Sequence, residues 1–326
     1  MYYNRTLSDS FSRHIEKSGK LRWLFDFVKD KDELDFLVGK NNSREWISVH
    51  RGLSRIITLQ LRKRNSQKIF IDGAGCYKDM CPHLYGEKNI DENFRVAIED
   101  IINLLENDER FDRYYNSKKE GFYQNNLSRR YGICGKVDDP FVIVDKEAVI
   151  GYSDQAEKDR IFAPIQKRYK ILQSILSNTD GNKFGKDLNK KSIGNELDFL
   201  ALDKQGNLLI IEFKHGSSTS GIYLSPIQIG LYYDIFTSYP KVDLERAVFE
   251  MLAQKQKIGL INPDWTSPNR INSIIPVVII SGFKEKSTAK STFHEVLKLL
   301  RGKLCNKFVN KLEVWKYTPG EDLSNW

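Results

Sequence analysis

Between Glu196 and Lys214 the chain reads ELDFLALD and NLLIIEFK, two apolar runs that meet across the polar turn DKQGN. Aliphatic runs of this length read as strands, and Leu208–Ile211 as one covered on both faces. A five-residue connection containing Gly206 joins such strands as an antiparallel hairpin. With Asp203–Asn207 as the loop, Leu202 faces Leu208, Leu200 faces Ile210, Asp198 faces Glu212 and Glu196 faces Lys214. The two-residue period of a strand puts all of these side chains on one face. This register is an expectation, and a slip of one residue in a single arm would abolish it.

That register creates an electrostatic problem. Two carboxylates opposed on an apolar hairpin repel, and burial aggravates the repulsion. Lys214 answers part of it. A divalent cation between Asp198 and Glu212 answers the rest, and an all-oxygen site with open positions suits magnesium or manganese. The chemistry served by such a set is hydrolysis of a phosphodiester, with the metal acidifying a bound water and the lysine orienting that water or stabilising developing charge.

Around the hairpin, elements alternate. PFVIVD, opened by Pro140, reads as a strand, and SDQAEKDRIFAPIQKRYKILQSIL as a helix with Asp154 and Glu157 spaced as a capping box and Pro164 as a kink. After the hairpin come a helix in SPIQIGLYYDIF, another in DLERAVFEMLAQKQK, a strand in IIPVVIIS, a helix in STFHEVLKLL and a strand in LEVWKY. This half is expected to be a mixed sheet flanked by helices. The division into an N-terminal domain, 1–140, and a C-terminal domain, 141–326, falls at the change of composition before Pro140.

In the N-terminal half, WISVHRGLSRIITLQL and KIFIDG are β-rich and carry Arg51, Arg55, Arg62, Lys63, Arg64 and Lys68, a basic decoration that suits solvent or a nucleic acid. DENFRVAIEDIINLLEND places Phe94, Ile98, Ile101 and Leu105 at helical spacing. From Asp108 to Pro140, aromatic and basic residues mix without clear periodicity, the composition of an irregular connector or of a surface that stacks on bases. The fold class of the whole is therefore mixed α/β, with an N-terminal domain of unrecognised fold.

Composition narrows the partners. Lys and Arg number 51 against 43 for Asp and Glu, a net charge of +8, which favours polyanions. There is no signal-peptide-like apolar core at the start and no run long enough to span a bilayer, so a cytoplasmic protein without membrane association is expected. The four cysteines are scattered, so reduced thiols are expected; Cys76, Cys81 and His83 read more simply as thiols and a lone histidine than as metal ligands.

Asp198, then Glu212, Phe213 and Lys214, resembles the D...(D/E)xK signature of the PD-(D/E)XK nuclease superfamily, the restriction-endonuclease-like fold. In the following helix Ser225 suits an N-cap and Pro226 a first position, which puts Gln228 and Tyr232 on one face, one turn apart. Gln228-x-x-x-Tyr232 is similar to the QxxxY motif of RecB-type nucleases in that superfamily. The resemblance covers Asp154 to Ser281. It implies a magnesium- or manganese-dependent phosphodiesterase, an endo- or exodeoxyribonuclease, acting on nucleic acid with DNA ahead of RNA, in settings such as restriction, repair or phage defence.

The same resemblance assigns Asp198 and Glu212 to the metal, Lys214 to the water or phosphate, and Gln228 and Tyr232 to the margin of the active site. A further acid of the family, on the helix before the sheet, corresponds to Glu157, which its capping role explains equally well. Cys305 stands alone after the motifs, so no iron-sulfur cluster is expected, and His215 is given no role. Lys183, Lys186, Lys190 and Lys191 suit either a phosphate backbone or solvent. The N-terminal domain would bind or select the substrate, and a homodimer would bring two sites to the two strands of a duplex. Two other readings stand beside this one: a binding or interaction module that keeps the fold without cutting, and a hydrolase of other phosphate esters.

Overall fold

The hairpin forms, and its turn shows why. In a computed structural model of the protein, Asp203 N–H donates to the Asn207 carbonyl at 3.0 Å, and the Asp203 carboxylate accepts from the backbone N–H groups of Gln205 and Asn207 at 2.9 and 2.7 Å. Gly206 closes the loop at φ +80°, a conformation that only glycine adopts without strain. The structure describes residues 1–326 except 42–43, 63–64, 80–81, 83–84, 108–114, 117, 180–183, 185–191, 195, 285–286 and 303–307, and except the side chains of 62, 65–67, 92 and 105–107.

The described chain is mixed α/β and forms two units. One comprises Asn4–Asp139 with Glu250–Trp265, the other Met1–Tyr3, Pro140–Phe249 and Thr266–Trp326, so neither is one continuous stretch of sequence. The first contains helices α1 (Asp9–Ser12) and α2 (Arg22–Lys29), strands β1 (Leu34–Lys40), β2 (Glu45–Arg51), β3 (Ser54–Arg62) and β4 (Asn65–Asp72), helix α3 (Gly75–Lys78), strand β5 (Gly86–Asn89), and helices α4 (Glu92–Asn107) and α5 (Glu120–Arg130). Its five strands form an antiparallel meander in chain order. Leu24, Phe25 and Val28 of α2 are buried with Phe36 of β1, the Phe25 and Phe36 rings meeting edge to face at 5.4 Å. Phe94, Ile98 and Ile101 of α4 join the same core, as their spacing predicts.

Two expectations for this unit are corrected. The segment without clear periodicity contains a full helix, α5, whose buried face is largely polar and therefore invisible to an apolar pattern: Gln124, Asn125 and Arg129 are buried beside Leu127. Arg129 is no nucleic-acid contact, because its guanidinium donates to the carbonyls of Val28, Lys29 and Leu34 at the end of α2 and the start of β1. Arg51 is likewise buried, in an ion pair with Glu33 at 2.7 Å, whereas Arg55 is exposed and Lys68, paired with Glu87 at 2.7 Å, is half exposed, as a solvated face requires. Lys63 and Arg64 lie outside the described residues, as does the Arg62 side chain.

The second unit contains β6 (Phe141–Ala148), α6 (Gln155–Ser177), β7 (Leu197–Asp203), β8 (Leu208–His215), α7 (Thr219–Ser238), the start of α8 (Lys241–Ile258), β9 (Ile274–Ser281), α9 (Ala289–Arg301), β10 (Glu313–Tyr317) and β11 (Ser324–Asn325). Its sheet runs β11-β10-β9-β8-β7-β6. The neighbours β6, β7 and β8 are antiparallel, β8, β9 and β10 parallel, and β11 antiparallel to β10. This is the expected mixed sheet with helices. Helix α7 packs on β8 and β9 and is flanked by α6 and α9, which is why it carries apolar residues on nearly every side.

Helix α7 begins at Thr219, not at Ser225. Ser225 and Pro226 lie inside it. A proline in a helix interior removes the N–H that would bond the carbonyl four residues back, here that of Ile222. The Ser225 hydroxyl donates to the Ile222 carbonyl at 2.8 Å in its place. The Ser-Pro pair that reads locally as a helix start is thus a repaired interior step.

Candidate active site

Strands β7 and β8 pair with Leu202 opposite Leu208, Leu200 opposite Ile210 and Phe199 opposite Ile211, the register that the turn predicts. The ladder ends there. One residue further, the Asp198 carboxylate accepts from the Phe213 backbone N–H at 2.7 Å, so a side chain continues the pairing where the backbone stops. Neither the expected Asp198–Glu212 pair nor the expected Glu196–Lys214 pair is part of the ladder, and Glu196 lies before the first residue of β7.

Glu212 is 3% exposed, on a strand held by β7 on one side and β9 on the other. Its Oε1 accepts from Lys214 Nζ at 2.5 Å. Its Oε2 is buried without a hydrogen-bond partner among the described residues. Burial, and after it the Asp198 carboxylate, push the Glu212 carboxyl well above the ordinary glutamate range, and Lys214 only partly opposes them. The Lys214 stem lies along the first turn of α7: a Cβ on Gly221 would stand 3.4 Å from Lys214 Cδ. The N-terminal extension of α7, unreadable from the Ser-Pro pair, therefore covers the lysine.

Helix α7 brings the other two predicted residues to this cluster. The Tyr232 hydroxyl donates to the Glu196 carbonyl at 2.6 Å. Burial first, and then the carboxylates of Glu212, Asp198 and Glu196, push its phenol far up, so it remains a neutral donor. Gln228 Oε1 is a second buried acceptor with no partner among the described residues. Both side chains crowd Gly194, where a Cβ would come within 2.6 Å of Tyr232 Oη and 3.3 Å of Gln228 Nε2; the backbone there has φ +92°. Gly194 is a site residue that the sequence reading missed. Its only local signal is a glycine three residues before a strand.

Asp145 was also not singled out. It sits across from Leu200 on β6, 1% exposed, and accepts from the Tyr3 hydroxyl at 2.7 Å. An acid inside an apolar run, as at Glu212, is the signal that could have flagged it. Glu157 is placed differently from the other candidates. Its backbone N–H bonds the Asp154 carboxylate at 2.8 Å, the cap that the spacing predicts. Its own carboxylate accepts from the Met1 ammonium at 2.5 Å and from Ser153 N–H at 2.8 Å, which hold it down to about 2. Those partners account for Glu157 without the Asp198–Glu212 pair.

His215 is buried, shares a hydrogen bond with Ser217 Oγ at 2.7 Å, and packs so closely on Gly282 that a Cβ there would meet its Nε2 at 2.3 Å. These contacts explain it structurally. Lys183, Lys186, Lys190, Lys191, Cys81, His83 and Cys305 lie outside the described residues, and Cys76 is a free thiol.

Among the described residues, no three His, Cys, Asp or Glu side chains gather as a metal-holding group. The oxygens present nonetheless fit a hard divalent cation. Two are buried acceptors with no donor among the described residues, Glu212 Oε2 and Gln228 Oε1, and an unsatisfied buried acceptor costs about 1–3 kcal/mol. The carboxylate of Asp198, close enough to raise the Glu212 pKa, supplies further oxygen. No protein-family model, no curated protein and no solved structure matches this chain. No helix among the described residues is long and apolar enough to cross a membrane.

Proposed function

We propose that this chain is a metal-dependent nuclease of the PD-(D/E)XK type that hydrolyses phosphodiester bonds in nucleic acid, DNA ahead of RNA. The observation that carries the reading is Glu212: a carboxylate buried within β8, beside Asp198, with one oxygen on Lys214 and the other without a donor among the described residues. Such a group is unfavourable for stability alone and suits a site that receives a cation.

Asp198 and Glu212 would hold magnesium or manganese, with Gln228 Oε1 as a neutral oxygen at the margin. When bound, the metal draws charge from the phosphate and lowers the pKa of a water. Lys214, held by Glu212 and by the first turn of α7, orients the attacking water or stabilises charge on the phosphate. Tyr232 keeps the entry of β7 in place through the Glu196 carbonyl, and so positions Asp198 two residues on. The N-terminal domain serves to bind or select the substrate.

The test is cleavage of supercoiled plasmid, linear duplex, single-stranded DNA, RNA and small phosphate esters with magnesium or manganese, by wild type beside Glu212→Ala and Lys214→Ala. Metal-dependent cutting of nucleic acid that falls by about 100-fold or more in both variants is expected. Equal activity in wild type and variants, or activity confined to small esters, would overturn the reading.

A further inference from the structure

Behind Tyr232 lies a cavity of about 510 Å³ that the chemistry above does not use. Its lining includes Tyr152, Phe162, Tyr232 and Phe236, with the charged side chains of Asp154 and Lys158. Tyr152 and Phe162 lie 6.2 Å apart at 46°, and Lys158 Nζ stands 5.8 Å from the Phe162 ring centre. Aromatic walls with a cation lying over one ring suit a flat, polarisable ring attached to a phosphate, with the Asp154 carboxylate in the same lining as the cation. The volume falls within the range of small-ligand pockets, about 300–1,000 Å³, which accommodates one nucleotide and no stacked duplex. Burial, and after it the Glu157 carboxylate, push the Tyr152 phenol up to about 12, so it stays a hydroxyl donor for a base edge.

Tyr232 belongs to both places. It lines the cavity, and its hydroxyl bonds the Glu196 carbonyl at the entry to Asp198. The cavity and the Asp198–Glu212 pair are therefore both within reach of one side chain.

We propose that this cavity receives an unpaired nucleobase next to the scissile phosphate, so that the substrate is a single strand or a duplex whose nucleotide can turn outward. The proposal rests on the nuclease reading for the identity of the phosphate that is cut. A base held in a duplex cannot enter such a cavity without leaving the stack, and the cost of unstacking favours single-stranded or distorted sites.

The test uses the full chain and a single-stranded oligodeoxynucleotide containing 2-aminopurine, whose fluorescence falls on stacking. Wild type is expected to bind with quenching. Phe162→Leu, which keeps apolar bulk on a half-buried helix position, should bind about tenfold more weakly and without the quench, and Phe162→Tyr should restore both. Equal affinity and quenching in Phe162→Leu would overturn the proposal. In parallel, an abasic residue is stepped along an end-labelled strand. Cleavage should drop about tenfold when it lies at one fixed distance from the cut, and that dependence should vanish in Phe162→Leu. If wild type cuts but no abasic position matters, the base site falls while the nuclease reading stands. If wild type cuts nothing while the quench and its loss in Phe162→Leu persist, the base site stands and the nuclease reading falls.

Discussion

At Glu212 a carboxyl group sits where its charged form is poorly solvated, and the consequence for stability has a definite sign. The folded-state pKa lies above the ordinary 4.5 because of burial and then Asp198. The native protein thus retains a proton that the unfolded chain releases, and stability falls as pH rises above 4.5. Metal-free protein should therefore lose Tm on going from pH 5 towards neutrality and above, and Glu212→Gln, which cannot ionise, should flatten that slope. Magnesium or manganese should raise the wild-type Tm more at high pH than at low, because cation and proton compete for the same carboxylate. Differential scanning calorimetry across pH, with and without metal, checks both. An unchanged slope in Glu212→Gln would assign the pH dependence to another group. The motif residues themselves were legible, since an acid and a lysine at the end of an aliphatic run stand out in any reading of LLIIEFK. The capture of Asp198 by the Phe213 N–H was not legible, because it depends on where the ladder stops.

Helix α7 carries the site through two local compensations. The Ser225 hydroxyl replaces the N–H that Pro226 lacks, so Ser225→Ala should leave the Ile222 carbonyl unpaired in the interior and cost about 1–3 kcal/mol in urea unfolding. Pro226→Ala in the same background restores a backbone N–H and should recover most of that loss; no recovery would mean that the hydroxyl acts otherwise. Gly194 lets α7 approach the entry of β7. Gly194→Ala would put a Cβ against Tyr232 Oη at a left-handed backbone position, which costs about 1–2 kcal/mol. It should displace the tyrosine and lower kcat about 100-fold, the scale of a 1 Å misplacement. Full activity in a folded Gly194→Ala protein would remove Tyr232 from the positioning role. The presence of a helix here was legible from its apolar content. Its true start was not, because serine before proline is the usual signal for an N-terminus and only packing on the sheet extends the helix back to Thr219.

Over the whole molecule, the charge of +8 favours a polyanionic partner through released counterions. Oligonucleotide binding should weaken steeply with salt, and Lys158→Ala should lower the slope of log Kd against log salt by about one if that lysine meets a phosphate. Titration by fluorescence anisotropy at several salt concentrations measures this, and a salt-independent Kd would dismiss the charge excess as a source of affinity. The two units are discontinuous in sequence, Met1–Tyr3 belonging with 140–249 and Glu250–Trp265 with the N-terminal residues; unlike the change before Pro140, these exchanges are announced by no local change of composition. What the sequence by itself determined are features set by neighbours along the chain: the Asp203–Gly206 turn, the register it imposes on β7 and β8, the Asp154 cap of α6 and the core stripe of α4. Turn geometry, capping and side-chain period act within a few residues. What only the tertiary structure decided are the contacts between distant segments: Gly194 against Tyr232, Arg129 on the carbonyls of α2, Glu157 on the amino terminus, and the cavity behind Tyr232. These depend on which faces are brought together when the sheet and helices pack, and no local spacing encodes that.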